Sequence, residues 1–359
     1  MKQTIISGKA LNGALLIAAT FIIMWGMMMA RSFINIMLLS VFISIISVHP
    51  ALWLDKKGIP HWLSVIIVLV GFFIVLSGLS GIIGSSVNEF TKDADKYESR
   101  LQTLITSIDQ SLLPYSIDLS SNRITQLINP GKILNYTAQT LGQFGNFMSD
   151  LIVILFIVLF ILFDLEDISL KAKIISRSSS GNNASKNTDN LNRIAASIRH
   201  YLVIKTFTSL LTGFLITILL WIIGVDYAVL WGLLAFLLNY IPNIGSFIAA
   251  VPAVLFAWIQ LGTLPVLWVL IVYAAVNTLI GYLVEPNVMG KGMGLSSLVV
   301  FLSLIIWGYI LGIVGMFLSV PLTMAIKIIL ENNNSTRPLA AMLGTSEDAA
   351  ALLKEDTKD

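Results

Sequence analysis

Between Thr206 and Val284 the only Asp, Glu, Lys, Arg or His is Asp226. A soluble fold cannot absorb such a stretch, because a water-facing surface is where charged side chains go. Four apolar runs fill it and its flank: Leu202–Ile223, Tyr227–Ile241, Ile244–Leu261 and Leu264–Val284. Composition agrees. Charged residues make up 12% of the 359, about half the usual roughly 25%. Mean hydropathy is +0.86. Intrinsic disorder is excluded by the same figures.

The first half alternates similar runs with polar segments. Leu11–Ala30 carries no charge and is long enough for a hydrocarbon core of about 30 Å. It is too long for the apolar part of a signal peptide, and Met27–Met29 stand where small residues would mark a cleavage site. Arg31 and Ser32 separate it from Phe33–Val48, which is expected to tilt back or follow a tight hairpin. A polar turn, His49 to His61, precedes a spanning run from Trp62 to Ile83. Ser77, Gly81 and Ser85 repeat there at a spacing that allows close helix contact. A fourth run, Leu151–Phe163, extends back through Phe144 and Phe147. After Val284, Leu295–Leu311 and Ile313–Leu330 flank Gly312.

Between the third and fourth runs the character changes. Val87, Phe90, Ala94, Tyr97, Leu101, Leu104, Ile108 and Leu112 recur at steps of three and four, with charges between them. That is an amphipathic helix close to a heptad seam. It can pack against another subunit or against its own membrane helices. Ser176–Asn190 has almost nothing apolar to bury and reads as a flexible loop.

The fold class expected is therefore all-α: a polytopic membrane protein of about eight transmembrane helices, some of them re-entrant, with an amphipathic helical extramembrane module. The segments are 1–85 (N-terminal helices), 86–147 (the module, periplasmic or interfacial), 148–163 (one helix), 164–201 (a cytoplasmic loop), 202–330 (the transport region) and 331–359 (a cytoplasmic tail). Lysines and arginines orient the chain. Lys2, Lys9, Lys56, Lys57, Lys171, Lys173, Arg177, Lys186, Arg193 and Arg199 fall on one side by parity, which places both termini in the cytoplasm.

Several functions are excluded or disfavoured. With no cysteine there is no disulfide, thiolate metal site or cysteine nucleophile. His49, His61 and His200 lack the spacing of a zinc helix. One membrane aspartate cannot make an aspartyl protease dyad, and no arginine-rich helix exists for a voltage sensor. Net charge of +2 gives no field for nucleic acid. No enzyme, cofactor or metal is expected.

The polar residues left inside the apolar half are the candidate site. Asn239, Pro242, Asn243 and Gly245 break the apolar sequence within NYIPNIG. Such a break is either a short loop at the membrane face, the commoner case, or a broken helix at membrane depth lining a cavity. Asn277 stands alone in its run, where it bonds to a neighbouring helix or faces a cavity. Glu285 and Pro286 open a loop in which Gly290, Gly292 and Gly294 alternate around Lys291, a pliable segment able to hinge. It is not a phosphate-binding loop, since Gly292 stands where Ser or Thr must follow the lysine. Glu285 can simply pair with Lys291 at the surface. Asp226 and Glu285 are the carboxylates available to couple an ion. Gly308 and Gly312 form a weak helix-contact motif. So few buried charges suit a neutral, hydroxyl-bearing solute better than an ion.

The stretches WGLLAFLLNYIPNIGSFIAAVPAV (Trp231–Val254) and EPNVMGKGMGLSSLVVFLSLIIWGYILGIVGMFLSVPL (Glu285–Leu322) resemble the AI-2 exporter family of bacterial membrane permeases. The order of elements is similar over most of the chain. The resemblance implies export of autoinducer-2, a small polar furanone-type quorum-sensing signal, across the bacterial inner membrane. It also implies a homo-oligomer, with a pentamer as the expected state. The family includes sodium/proton antiporters, so cation exchange through Asp226 or Glu285 is the alternative. A non-transporting scaffold organised by the 86–147 helix is the third reading.

Overall fold

A computed structural model describes residues 8–93, 150–164, 183–242, 244–289, 294–332 and 336–346, with 96, 97, 99, 100, 102, 103, 106 and 350. Every regular element among them is helical: α1 Gly8–Met29, α2 Arg31–Lys56, α3 His61–Lys92, α4 Asp150–Phe163, α5 Asn183–Ile223, α6 Ala228–Leu238 and α7 Gly245–Leu261. There follow α8 Thr263–Thr278, a π-helical turn Leu279–Val284, α9 Glu285–Met289, α10 Ser297–Leu311, α11 Ile313–Glu331 and α12 Arg337–Leu343. Five stretches are long and apolar enough to cross a membrane: Arg31–Lys56, His61–Ser86, Arg193–Ile223, Thr263–Met289 and Ile313–Glu331. The helices α4, α6, α7 and α10 are apolar but shorter. The all-helical, multi-pass reading is thus met, while fewer helices than about eight reach spanning length. Most of the 86–147 module lies outside the described residues.

Only Ala30 separates α1 from α2. Its N–H bonds to Gly26 O (3.0 Å), and the Ile34 N–H bonds to Ala30 O (3.0 Å), the pattern that also flanks Gly312. Two expectations are corrected. First, the polar turn expected from His49 shrinks to 57–60, because α2 runs through Pro50 to Lys56. Proline deletes a single ladder bond there, and Ala51, 1% exposed, anchors the turns that follow. Second, residues 183–190 of the Ser/Asn-rich segment are the first turns of α5. A nucleated helix extends through polar residues at little cost, which periodicity alone does not reveal.

The chain divides into two compact units. The first comprises 1–45, 164–198 and 294–359. Its centre is the antiparallel pair α10–α11, which reverses at Gly312 with φ +70°. Close approach defines this pair. A Cβ on Gly308 would lie 2.8 Å from Met316 Cγ, and one on Gly315 would lie 2.0 Å from Trp307 O. The Gly308/Gly312 motif therefore builds a hairpin rather than a separate helix–helix contact. Asn35 Nδ2 donates to Leu311 O (3.1 Å), satisfying a carbonyl that the end of α10 leaves free.

The second unit comprises 46–163 and 199–293. Its core joins α5 (Ile216, Leu220), α6 (Trp231, Ala235), α7 (Ala249, Ala253, Phe256, Ala257) and α8 (Val269, Tyr273, Val276). The three alanines of α7 repeat every fourth residue, so one flat face admits its neighbours. The helices α5 and α6 touch backbone to backbone. A Cβ on Gly232 would meet Thr217 Oγ1 at 1.8 Å and Gly213 O at 2.6 Å. On α3, by contrast, a Cβ on Gly71, Gly78, Gly81 or Gly84 would meet nothing within 4 Å among the described residues.

This contrast makes a prediction. Gly232→Ala should destabilise the protein by roughly 1–3 kcal/mol through overpacking, whereas Gly78→Ala should stay within about 0.5 kcal/mol of wild type. Thermal unfolding in detergent measures both.

Candidate functional site

The helix α6 is 11 residues long, about 16 Å at 1.5 Å per residue and so roughly half of a hydrocarbon core. It packs antiparallel on α7. The roots of this hairpin are tied together by Gln260, which donates through Nε2 to Gly224 O (2.9 Å) and accepts through Oε1 from Asp226 N (2.8 Å). Its tip is the NYIPNIG segment. Asn239, 8% exposed, donates through Nδ2 to Ser209 Oγ (3.0 Å) and accepts through Oδ1 from Ser246 Oγ (3.3 Å). The Tyr240 hydroxyl donates to Thr206 Oγ1 (2.8 Å). Ser209 lies far along α5 from the Ile223 end, about 21 Å by the helical rise. The tip is therefore seated against the side of α5.

Gly245 is fixed by sterics: a Cβ there would lie 1.8 Å from Leu238 O. Pro242 supplies a turn carbonyl that accepts from Ile244 N (2.7 Å). Asn243 lies outside the described residues, as does Gly290.

One residue before Thr206 comes Lys205, which is 5% exposed. Its ammonium donates to both oxygens of Glu285, at 2.8 and 3.0 Å. Lys291, the other partner considered for Glu285, lies outside the described residues. The carboxylate is delivered by the π-helical turn, whose last bond runs from Glu285 N to Ile280 O. Tyr201, one helical turn before Lys205, is buried with a hydroxyl that has no partner among the described residues. Lys205 and Glu285 are the charges that bracket the uncharged stretch in sequence, and they neutralise each other in space. That bracketing was a usable signal for Lys205, which sequence reasoning missed along with Tyr201 and Ser209.

Other predicted residues fall elsewhere. Asn277 is half-buried on α8 and stands apart from this network. Pro286 is exposed at the start of α9. Gly294 belongs to the first unit, has φ +62°, and offers its carbonyl to the buried Lys327. The unit boundary falls at Met293–Gly294, inside the glycine-rich loop.

Asp226 lies at the hairpin roots. Two reciprocal bonds meet there: the Tyr97 hydroxyl donates to Asp226 Oδ2 (2.9 Å), and the Tyr227 hydroxyl donates to Asp93 Oδ2 (2.8 Å). Phe256 sits among Tyr97, Tyr227 and Trp231, with ring centroids 4.7, 5.6 and 5.4 Å away. Burial, and then the Asp93 bond, push the Tyr227 phenol up to about 12. Burial pushes Tyr97 up as well. Both phenols stay protonated donors at neutral pH, so the carboxylates are held as acceptors. Tyr227 adopts φ 57° without being glycine, a strained conformation that its bond and ring contacts hold in place. Arg100 adds a bond from Nη1 to Gln260 O (2.6 Å).

The buried ion pair yields a double-mutant prediction. Glu285→Leu alone strands the Lys205 charge and should cost about 3–5 kcal/mol, whereas Lys205→Met combined with Glu285→Leu should recover most of that loss. Thermal unfolding of the four species in detergent gives the coupling.

Comparison with known proteins places these features in context. A family profile described as AI-2E family transporter matches residues 14–335. A putative transport protein of Haemophilus influenzae is 38% identical over 92% of this chain and 96% of its own length. The AI-2 transport protein TqsA of Escherichia coli is 35% identical over 96% of this chain and 98% of its own. The putative transport protein YhhT of Escherichia coli is 33% identical over 94% and 95%.

Proposed function

Because this chain belongs to the AI-2E family of transporters, we propose that it exports autoinducer-2, or similar small hydroxylated solutes, across the bacterial inner membrane. The observation that carries the reading is the tip of the α6–α7 hairpin. Asn239, Tyr240, Ser209, Thr206 and Ser246 gather amide and hydroxyl groups, none of them charged, against a spanning helix. Such groups donate to and accept from a polyhydroxylated solute without asking it to carry charge. The likeness to TqsA over nearly the whole chain supports the solute class.

In this mechanism the solute exchanges the internal bonds of the tip for its own hydroxyls. Asn239, Asn243 and Asn277 supply amide contacts along the pathway. Pro242 and Gly245 shape the tip, and the loop from Glu285 and Pro286 through Gly290 to Gly294 provides the gate. The protein works as a homo-oligomer, a pentamer in the reading drawn from the family, with both termini in the cytoplasm by its lysine and arginine placement.

The test is flux of labelled autoinducer-2 in proteoliposomes, with and without imposed pH and voltage gradients. Asn239→Leu should lower flux by about tenfold or more, because the solute loses an amide partner and Ser209 is left unpaired. Absence of flux in the wild type under every gradient would reject the solute.

Cation/proton exchange remains the competing reading, favoured by one observation, the buried Lys205–Glu285 pair. It requires a titrating carboxylate. Under the exporter reading, Asp226→Asn and Glu285→Gln leave the pH dependence of flux unchanged in folded protein. A shifted pH profile in either variant would favour exchange.

A further inference from the structure

An open groove of about 760 Å³ lies in the second unit, lined by the end of α3, the end of α5 and the α5–α6 corner. It straddles the limits of two spans, His61–Ser86 and Arg193–Ile223. Below those limits its wall is Ile82 and Trp221, both exposed and apolar. At the limits come the hydroxyls of Ser85 and Ser86. Beyond them the rim carries Glu89, Lys92, Asp93, Lys96 and Asp226.

The rim charges are unusual in one respect. Among the described residues, none of the five forms an ion pair with another, although both signs crowd one opening. Asp93 and Asp226 each accept a tyrosine hydroxyl at Oδ2, and both line the groove. Lys96 lies 5.6 Å from the Tyr97 ring. Unpaired charges of both signs suit a ligand that itself carries both. An apolar lower wall at the membrane limit suits a ligand with an acyl tail.

The geometry points to a specific site for a zwitterionic phospholipid with a primary ammonium headgroup. Lys92 and Lys96 receive the phosphate. The carboxylates of Glu89, Asp93 and Asp226 accept from the ammonium, whose three N–H donors match them. The acyl chain runs along Ile82 and Trp221. A quaternary ammonium has no N–H to donate, and an anionic headgroup offers the carboxylates no cation, so both bind more weakly.

The experiment titrates delipidated, detergent-purified protein with phosphatidylethanolamine, phosphatidylcholine or phosphatidylglycerol of identical acyl chains, reading thermal stability. Glycerophosphoethanolamine is the tail-less control. Phosphatidylethanolamine should stabilise at the lowest concentration. Glu89→Gln and Lys92→Gln, neither of which touches the tyrosine bonds, should each raise its midpoint by about tenfold. Both variants should match wild-type stability without lipid, and Glu89→Gln should keep the wild-type response to phosphatidylcholine, which has no N–H to give that carboxylate. Equal response to the three lipids overturns the assignment, as does a phosphatidylethanolamine response that survives both substitutions. Stabilisation by glycerophosphoethanolamine at the same concentration also overturns it, since the acyl chain would then contribute nothing.

Discussion

Hydrocarbon offers no hydrogen bonds, and the second unit is organised around that fact. A chain that breaks its helix at depth must find partners for the exposed backbone and polar side chains within the protein. The α6–α7 hairpin does so on α5. Close contact at Gly213 and Gly232 brings α6 against α5. That approach lets Asn239 reach Ser209 and Tyr240 reach Thr206. At the roots, Gln260 spans the gap between the entering and leaving strands of chain. Each device depends on the one before it. A bulkier residue at 232 would lift the hairpin from α5 and leave Asn239 buried without Ser209.

How legible was this from the residues alone? The helical, membrane-embedded class followed from charge depletion, and the family from two stretches of the second half. The NYIPNIG break was visible, but its depth was not. Asn, Pro and Gly make surface turns and buried tips alike, and only the short α6 with its partners on α5 separates the two. Glu285 was legible as an isolated carboxylate. Lys205 was hidden because a lysine at the edge of an apolar run looks like an interfacial anchor. Its pairing joins residues 80 apart, and no local pattern encodes a contact of that kind. The Ser77, Gly81, Ser85 repeat marks a surface able to pack without saying what packs on it.

Asp226 illustrates how environment changes a residue's meaning. In sequence it is the single charge in a long apolar stretch, which suggests ion coupling. In the structure it stands at the corner between α5 and α6, receiving a phenol from Tyr97 while Tyr227 beside it reaches Asp93. The crossed arrangement fastens Asp93 and Tyr97 to the hairpin roots, and the aromatic rings of Phe256 and Trp231 fill the space beneath.

The π-helical turn before Glu285 has a consequence of phase. A π-turn holds about one residue more than the α-helical ladder would place there. Each residue of an α-helix advances the side-chain direction by about 100°. The following helix, Glu285–Met289, is therefore rotated by about that angle relative to an uninterrupted α8. In the unshifted phase the Glu285 carboxylate would point away from Lys205, and a lysine would be left alone among apolar side chains. The extra residue acts as a dial set one notch forward, so the pairing of two charges far apart in sequence depends on how many residues lie between Thr278 and Glu285 as much as on which residues they are.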